Sequence, residues 1–258
     1  MREEVAPGHL ARSKSSFQPA ESLARYWGCQ PAGASMIERI KSSPNAFPQL
    51  RRHQDLVEFI REEQPGFVGK VLDVGCGPGY LAKLMREAGF PEVHGVDWGG
   101  PSSLIPNSVS SYQQVDLNEE RLEDVVDTKF DLIVCSDTLE HLERPAKVIR
   151  SMRELLTDTG SLYVTVPNCT NIFQRVSWLL TGNSYRYRTE RSGEFGHISL
   201  FPSSVMQSLI NRAGLKQVRK GKGYIAAAGF ITSKGMKFSD FWSYSSYYHF
   251  KPVGPKPE

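Results

Sequence analysis

Residues 71–80 read Val-Leu-Asp-Val-Gly-Cys-Gly-Pro-Gly-Tyr, and this stretch decides the fold. Val71 to Val74 is an apolar run with the length of a buried strand. It breaks into glycines at 75, 77 and 79, and the chain then turns amphipathic through Leu81, Leu84 and Met85. Strand, glycine turn and helix in that order open a doubly wound α/β domain, whose ligands lie at the carboxyl ends of its strands. Glycine accepts positive φ and lets the backbone approach a ligand with no Cβ in the way. The spacing Gly-x-Gly-x-Gly is not the dinucleotide fingerprint Gly-x-Gly-x-x-Gly, because Tyr80 stands where its third glycine would fall. That disfavours a nicotinamide dehydrogenase.

Working outward, Val93 to Asp97 reads as a second strand ending in a carboxylate, 18 residues after Gly79. A carboxylate at about that distance suits hydrogen bonding to ribose hydroxyls. A third strand near Ser110 to Val115 ends in Asp116-Leu117. A fourth, Phe130 to Cys135, runs into Ser136-Asp137-Thr138-Leu139-Glu140-His141. A helix over about 145–156, a turn at Asp158-Thr159-Gly160 and a strand over 160–166 follow. Upstream, Leu56, Phe59 and Ile60 at helical spacing predict a helix from Leu50 to Glu63, stopped by Pro65-Gly66. Alternation of this kind argues for a mostly parallel sheet with right-handed crossovers.

The flanks read as three further pieces. Residues 1–49 are a loose segment followed by cap helices carrying Tyr26, Trp27, Met36 and Ile37. The domain spans 50–231, with an insertion over 167–200 that holds Phe173, Trp178, Leu179 and Leu180, and then Arg186, Arg188 and Arg191. After a helix over Pro202 to Ala213, strands 215–219 and 224–231 predict a C-terminal hairpin that brings a reversed strand into the sheet. Residues 232–258 are left as a tail rich in aromatic residues, expected to cap a sheet edge or make a dimer contact.

Length and composition narrow the class. A chain of 258 residues can bury one good α/β core. A net charge of +3 is too mild to argue for nucleic acid. The four cysteines, Cys29, Cys76, Cys135 and Cys169, form no Cys-x-x-Cys pair and fit reduced thiols. No run approaches the 18 or so apolar residues of a membrane span, and no apolar signal core opens the chain. The expectation is a cytoplasmic protein without a membrane span.

With these motifs in order, the chain resembles class I S-adenosylmethionine-dependent methyltransferases, and two subfamilies in particular: the ubiquinone-biosynthesis O-methyltransferases and the small-RNA terminal 2′-O-methyltransferases. The resemblance implies that Gly75, Cys76, Gly77, Gly79 and Tyr80 fold under the amino-acid part of S-adenosylmethionine. It implies Asp97 and Trp98 at the ribose, Asp116 and Leu117 at the adenine, and Ser136 at the fourth strand end. Asp73 has two readings, a partner of the cofactor's ammonium or a carboxylate that stabilises the loop.

On the acceptor side, both subfamilies hold a divalent metal with a Glu-x-x-Glu-His segment and a later histidine. The matching positions are Asp137, Glu140, His141 and His197, with aspartate one methylene shorter than the family's first acid. The implied metal is Mg²⁺ or Zn²⁺; otherwise His141, His197 and Glu140 act directly, as base or substrate-orienting groups. The acceptor implied is a hydroxyl of a small molecule, a sugar or an anionic metabolite leading. An RNA or other macromolecular methyltransferase and a degenerate cofactor-binding scaffold are the alternatives, and a homodimer is a further expectation.

Overall fold

A computed structural model of the chain describes residues 46–99, 107–184, 196–222, 225–227, 230–232 and 240–254. The expected cap helices before residue 45, and Arg186, Arg188 and Arg191 of the insertion, lie outside them. Helix α1 (Ala46–Glu63) buries Leu56, Phe59 and Ile60. Gly66, at a φ of 68°, turns the chain into β1 (Lys70–Val74). Helix α2 (Tyr80–Glu87), β2 (Glu92–Asp97), β3 (Ser111–Gln114), the single turn α3 (Leu122–Val125) and β4 (Phe130–Ser136) follow. Beyond them lie α4 (Pro145–Leu155) and β5 (Leu156–Pro167), then α5 (Ile172–Thr181) and α6 (Ser203–Arg212). Four strands close the chain: β6 (Leu215–Lys222), β7 (Ile225–Ala227), β8 (Phe230–Thr232) and β9 (Ser245–Pro252).

Seven strands form one sheet in the order β3-β2-β1-β4-β5-β9-β6, parallel except for β9, which is antiparallel to both its neighbours. The doubly wound class and the reversed strand are therefore as expected, but different residues supply that strand. Residues 225–227 and 230–232 pair with each other in a separate two-stranded ribbon among the described residues. Ser245–Pro252, set aside as an aromatic tail, inserts between β5 and β6. The physical reason is burial on both faces: Tyr247 and His249 point to one side, Tyr248 and Phe250 to the other, and all four are buried. A strand covered on both sides shows no polar alternation to mark it.

The pleat sorts the core into two layers. Leu72, Val74, Ile133, Cys135, Val164 and Phe250 meet α4 and α6 through Ile149, Met152, Met206 and Ile210. Val71, Leu132, Val134, Tyr163 and Tyr247 meet α1 and α2 through Phe59, Ile60, Leu81 and Met85. Each of these large side chains contributes about 1.5–3 kcal/mol by leaving water. The predicted turn at 158–160 appears as a bulge instead. Phe130 pairs with Leu156 and Leu132 with Ser161, so residues 157–160 are looped out of a strand that begins directly after α4.

Candidate active site

The carboxyl ends of β1, β2 and β4 converge on the glycine loop. Gly75, Gly77 and Gly79 all have positive φ (74°, 51° and 85°), so the sequence spells out a backbone that side chains other than glycine strain to adopt. The loop is held down by amides of Gly75 and Cys76 donating to the Val96 carbonyl, at 2.8 and 3.1 Å. A Cβ on Gly75 would run into the Thr138 hydroxyl oxygen and come within 2.5 Å of its methyl carbon. Thr138 in turn donates to the Val74 carbonyl at 3.3 Å. The first and fourth strand ends are thereby locked together. Gly79 opens α2 and brings no side chain to cap it; Tyr80 is the first residue of that helix, and the Ala82 amide of its first turn meets the Asp73 carboxyl.

Strand parity decides where the acids point. Asp73 shares its face with Val71, under the start of α2, and is buried. Burial first, and then the nearby Asp97, push its carboxyl up to about 7 against the opposing pull of the Ala82 amide. Its Oδ2 meets no donor among the described residues. Asp97 closes β2: its Oδ2 accepts from the Gly77 amide at 2.8 Å and its Oδ1 from the Gly99 amide at 3.2 Å. Burial raises this carboxyl too, partly offset by those amides. Trp98 follows, its carbonyl accepting from Gln114 at 2.9 Å. Cys76 stays a thiol, because burial and the two acids push its pKa well up.

Beyond β3, Asp116 is exposed, with its Oδ1 accepting from the Asn118 amide at 2.9 Å, and Leu117 is buried beside it. At the end of β4 the Ser136 hydroxyl meets that of Thr165 at 2.9 Å. Asp137 then takes a left-handed φ of 49°, unusual for a residue with a side chain. A single 3-10 turn, Leu139–His141, follows.

The acceptor-side residues come together by a long-range fold-back. Ile198 and Ser199 donate their amides to the Glu140 carbonyl at 2.8 and 3.1 Å, which brings His197 over the turn. The His141 and His197 rings lie 4.8 Å apart edge to face, and His197 Nε2 is 4.0 Å from Glu140 Oε1. One ligand-type atom from each of Glu140, His141 and His197 lies within 4.8 Å of the other two. Glu140 is fully buried. Asp137 departs from the four-residue set: its Oδ2 pairs with Arg52 Nη1 of α1 at 3.0 Å.

Arg52 and its neighbour His53 were not picked out from the sequence. His53 carries an Nδ1 that is buried and without a hydrogen-bond partner among the described residues. Burial and the Arg52 charge lower its pKa to about 4, against the pull of Asp137. Nothing in the spacing marks this pair, since Asp137 lies 85 residues away and polar residues on a helix are ordinary. Only the tertiary fold, which stands the early turns of α1 at the carboxyl edge of the sheet, brings them to the site.

Comparison with known proteins agrees with this geometry. Residues 35–220 match the family described as a methyltransferase domain. The ubiquinone biosynthesis O-methyltransferase of Glaesserella parasuis is 33% identical over 122 residues, 43% of this chain and 51% of that protein. Its counterpart in Idiomarina loihiensis is 34% identical over 128 residues, 47% and 51% of the two chains. The chain thus spans about half the length of the curated relatives it matches. Among solved structures, magnesium protoporphyrin IX methyltransferase from Synechocystis with bound SAH superposes with a TM-score of 0.53 at 15% identity, covering 90% of this chain and 92% of that one. The CcbJ methyltransferase from Streptomyces caelestis gives 0.54 at 20% identity, covering 82% and 97%. The two structures share the fold, and the match over 35–220 takes in the glycine loop, the strand-end acids and the Glu140–His197 cluster: the chain belongs to the S-adenosylmethionine-dependent methyltransferase family.

Proposed function

We propose that the protein transfers the methyl group of S-adenosylmethionine to a hydroxyl of a small molecule. The observation that carries this reading is the convergence of His197 on Glu140 and His141, the second and third residues after Thr138, which packs on the glycine loop. A cofactor pocket and a proton-handling cluster are thereby fused at one strand end. The two sequence relatives above are by name O-methyltransferases, which supports oxygen as the accepting atom.

The residues at the loop fit the cofactor. Gly75 leaves no room for a Cβ, Asp73 presents a buried oxygen in need of a donor, and α2 opens on a glycine that brings no capping side chain. Asp73 would hold the ammonium, and the first amides of α2 ahead of the Ala82 amide that Asp73 takes would hold the carboxylate of the methionyl part. Asp97 would accept from the ribose diol on lone pairs left free by the Gly77 and Gly99 amides, with Trp98 beside it. Asp116 and Leu117 would bind the adenine, and Ser136 would border the methyl group. S-adenosylmethionine supplies an electrophilic methyl and its own leaving group.

The chain must then orient the acceptor and take one proton. His141 and His197 are the bases on hand, and the buried Glu140 carboxylate beside His197 favours the imidazolium that forms. A second reading rests on the same three side chains. Their ligand atoms lie within 4.8 Å of one another, wider than the about 4.2 Å that two bonds of about 2.1 Å span, so the side chains would have to draw in to hold Mg²⁺ or Zn²⁺, which would there acidify the acceptor hydroxyl. Asp137 would contribute only after leaving Arg52.

The test is incubation with S-adenosylmethionine and a panel of sugars, phenols and nucleotide-linked metabolites, read by mass for a gain of one methyl. Methylation confined to RNA, or S-adenosylhomocysteine binding with no turnover on any acceptor, would reject the small-molecule reading.

A further inference from the structure

A hydrogen-bonded relay lies at the amino-terminal edge of the sheet, opposite the edge that carries the glycine loop. Parallel pairing sets His94 of β2 beside Ser111, the first residue of β3. Glu92 precedes His94 by two residues, so strand alternation puts it on the same side. His94 Nε2 lies 2.8 Å from Glu92 Oε1, and its Nδ1 lies 2.5 Å from Ser111 Oγ. The Phe130 ring, edge to face at 5.4 Å, braces the imidazole. Only 17% of the His94 side chain is exposed, whereas Ser111 is open to solvent.

The chemistry of the three groups fixes where the protons are. A carboxylate only accepts, so Nε2 carries the hydrogen that it donates to Glu92. Nδ1 is then the basic nitrogen, and the short contact is the Ser111 hydroxyl donating to it. A serine held on an imidazole whose far nitrogen is held by a carboxylate is an activated nucleophile. The two ring nitrogens exchange the parts they play in a serine protease, which changes the approach of the hydroxyl and not the proton transfer.

His94 and Ser111 also line a crevice of about 250 Å³. It is there because α3 is a single turn of four residues, and residues 126–128 that follow wall the space without filling it. Leu72 and Phe130 supply apolar wall, and Lys70 and Asp127 bring opposite charges that cancel. Pockets for drug-sized ligands run to about 300–1,000 Å³, so this one suits a smaller and uncharged occupant. We propose that Ser111, His94 and Glu92 form a second catalytic site, which hydrolyses a short uncharged ester.

Ser111 Oγ attacks the ester carbonyl carbon while its proton passes to His94 Nδ1, and the carbonyl electron pair moves onto oxygen. The Lys70 ammonium and the Gln113 amide, both in the crevice wall, are the donors on hand for that oxyanion. Glu92 steadies the imidazolium. Collapse expels the alkoxide, which takes the proton from Nδ1 and leaves as the alcohol. Water, giving a proton to the same nitrogen, then attacks acyl-Ser111, releases the carboxylic acid and restores the hydroxyl. Ester and water become acid and alcohol, with no change of oxidation state.

The experiment treats the full chain with a fluorophosphonate, locates the label by peptide mass, and follows nitrophenolate release from p-nitrophenyl acetate. The expected result is phosphonylated Ser111 in the wild type and catalytic turnover of the acetate. Ser111→Ala and His94→Gln should each lose about 10²-fold or more of that turnover, and Glu92→Gln, which keeps the hydrogen bond and drops the charge, about tenfold. Ser111 is exposed, so its alanine variant keeps the fold; an unchanged melting temperature and unchanged S-adenosylhomocysteine binding check this. A wild type that is not labelled at Ser111 overturns the proposal, as does labelling without turnover. Turnover that Ser111→Ala retains overturns it too. None of these readouts uses S-adenosylmethionine, so they stand apart from the methyl-transfer assignment.

Discussion

Arg52 on α1 and Asp137 at the end of β4 form an ion pair at 3.0 Å, with both side chains largely shielded from water. The pair holds the segment before β1 onto the strand end that leads to Glu140. Asp137 does this from a left-handed backbone, a conformation costing on the order of 1 kcal/mol or more for a residue with a Cβ. The surrounding bonds, including its amide to the Thr165 carbonyl at 3.1 Å, keep it there.

Arg52→Met should therefore destabilise the protein by about 2–4 kcal/mol, since it strands a shielded carboxylate. Arg52→Met/Asp137→Gly should recover much of that loss, because glycine removes both the orphaned charge and the backbone strain. Denaturant midpoints of the four proteins in the cycle measure it. A double variant no more stable than Arg52→Met would show that the pair and the strained turn are not coupled.

Gly75→Ala drives a Cβ into Thr138 at a φ of 74°. The expected outcome is loss of S-adenosylhomocysteine binding by calorimetry, along with destabilisation of about 2–3 kcal/mol. Adding Thr138→Ala, which deletes both the hydroxyl and the methyl that crowd the new Cβ, should restore part of the stability but little of the binding. Wild-type affinity in Gly75→Ala would remove this loop from the cofactor site.

The order of these parts was legible in the sequence wherever one residue's neighbours in the chain are also its neighbours in space. β1, the glycine turn, α2 and the acid at Asp97 are consecutive, and their periodicity and spacing name them. β9 was not legible: Ser245-Ser-Tyr-Tyr-His-Phe buries aromatic side chains on both faces and so alternates in nothing. α5 hid for the opposite reason, its buried residue being the polar Gln174. The His197–Glu140 contact was anticipated only through resemblance, and the Arg52–Asp137 pair not at all, because both depend on chain crossings that no local pattern encodes. The shorter Asp137 side chain cast doubt on a metal ligand, and the structure shows where that carboxylate goes instead.

On the acceptor side, His197→Ala and His141→Ala should each lower turnover by about 10²-fold or more while leaving S-adenosylhomocysteine affinity within about twofold. Glu140→Gln keeps the shape and removes the charge, so it should lower turnover and shift the acid limb of the pH–rate profile. Chelation divides the two mechanisms. Activity lost with EDTA and restored by Mg²⁺ or Zn²⁺ places a metal on the three side chains, and indifference to EDTA leaves a histidine base. Unchanged turnover in both alanine variants would dismiss the cluster.

The last prediction concerns acid, and it follows from His249 on β9. The ring is buried, stacks on Tyr163 with centroids 4.4 Å apart, and bridges Glu63 and Ser161 at 3.1 Å each. Burial lowers its pKa below the ordinary 6.5, assisted by the positive charges of Lys251 and Arg219 and opposed by Glu63. His53 on the same helix as Glu63 is lowered further, to about 4. For both rings the unfolded chain binds the proton more readily than the folded one. Their contribution is therefore complete above pH 6.5 and is lost as the pH falls below it, with His53 carrying the loss down toward pH 4. Each histidine adds a slope of at most about 1.4 kcal/mol per pH unit while its two states differ by one proton. Glu63, held below the usual carboxylate range by Arg219 and His249 despite its burial, acts with the same sign at lower pH. Asp73 acts with the opposite sign: its carboxyl, pushed up to about 7, takes up a proton in the folded chain before it does in the unfolded one, so it adds stability as the pH falls from 7 toward 4. The two signs oppose each other across that window, and a variant separates them. His249→Gln keeps one hydrogen bond and cannot be protonated, so its melting temperature relative to wild type should rise as the pH falls below 6.5. A difference between variant and wild type that stays constant between pH 7.5 and 5 would show that this imidazole is not held neutral by the fold.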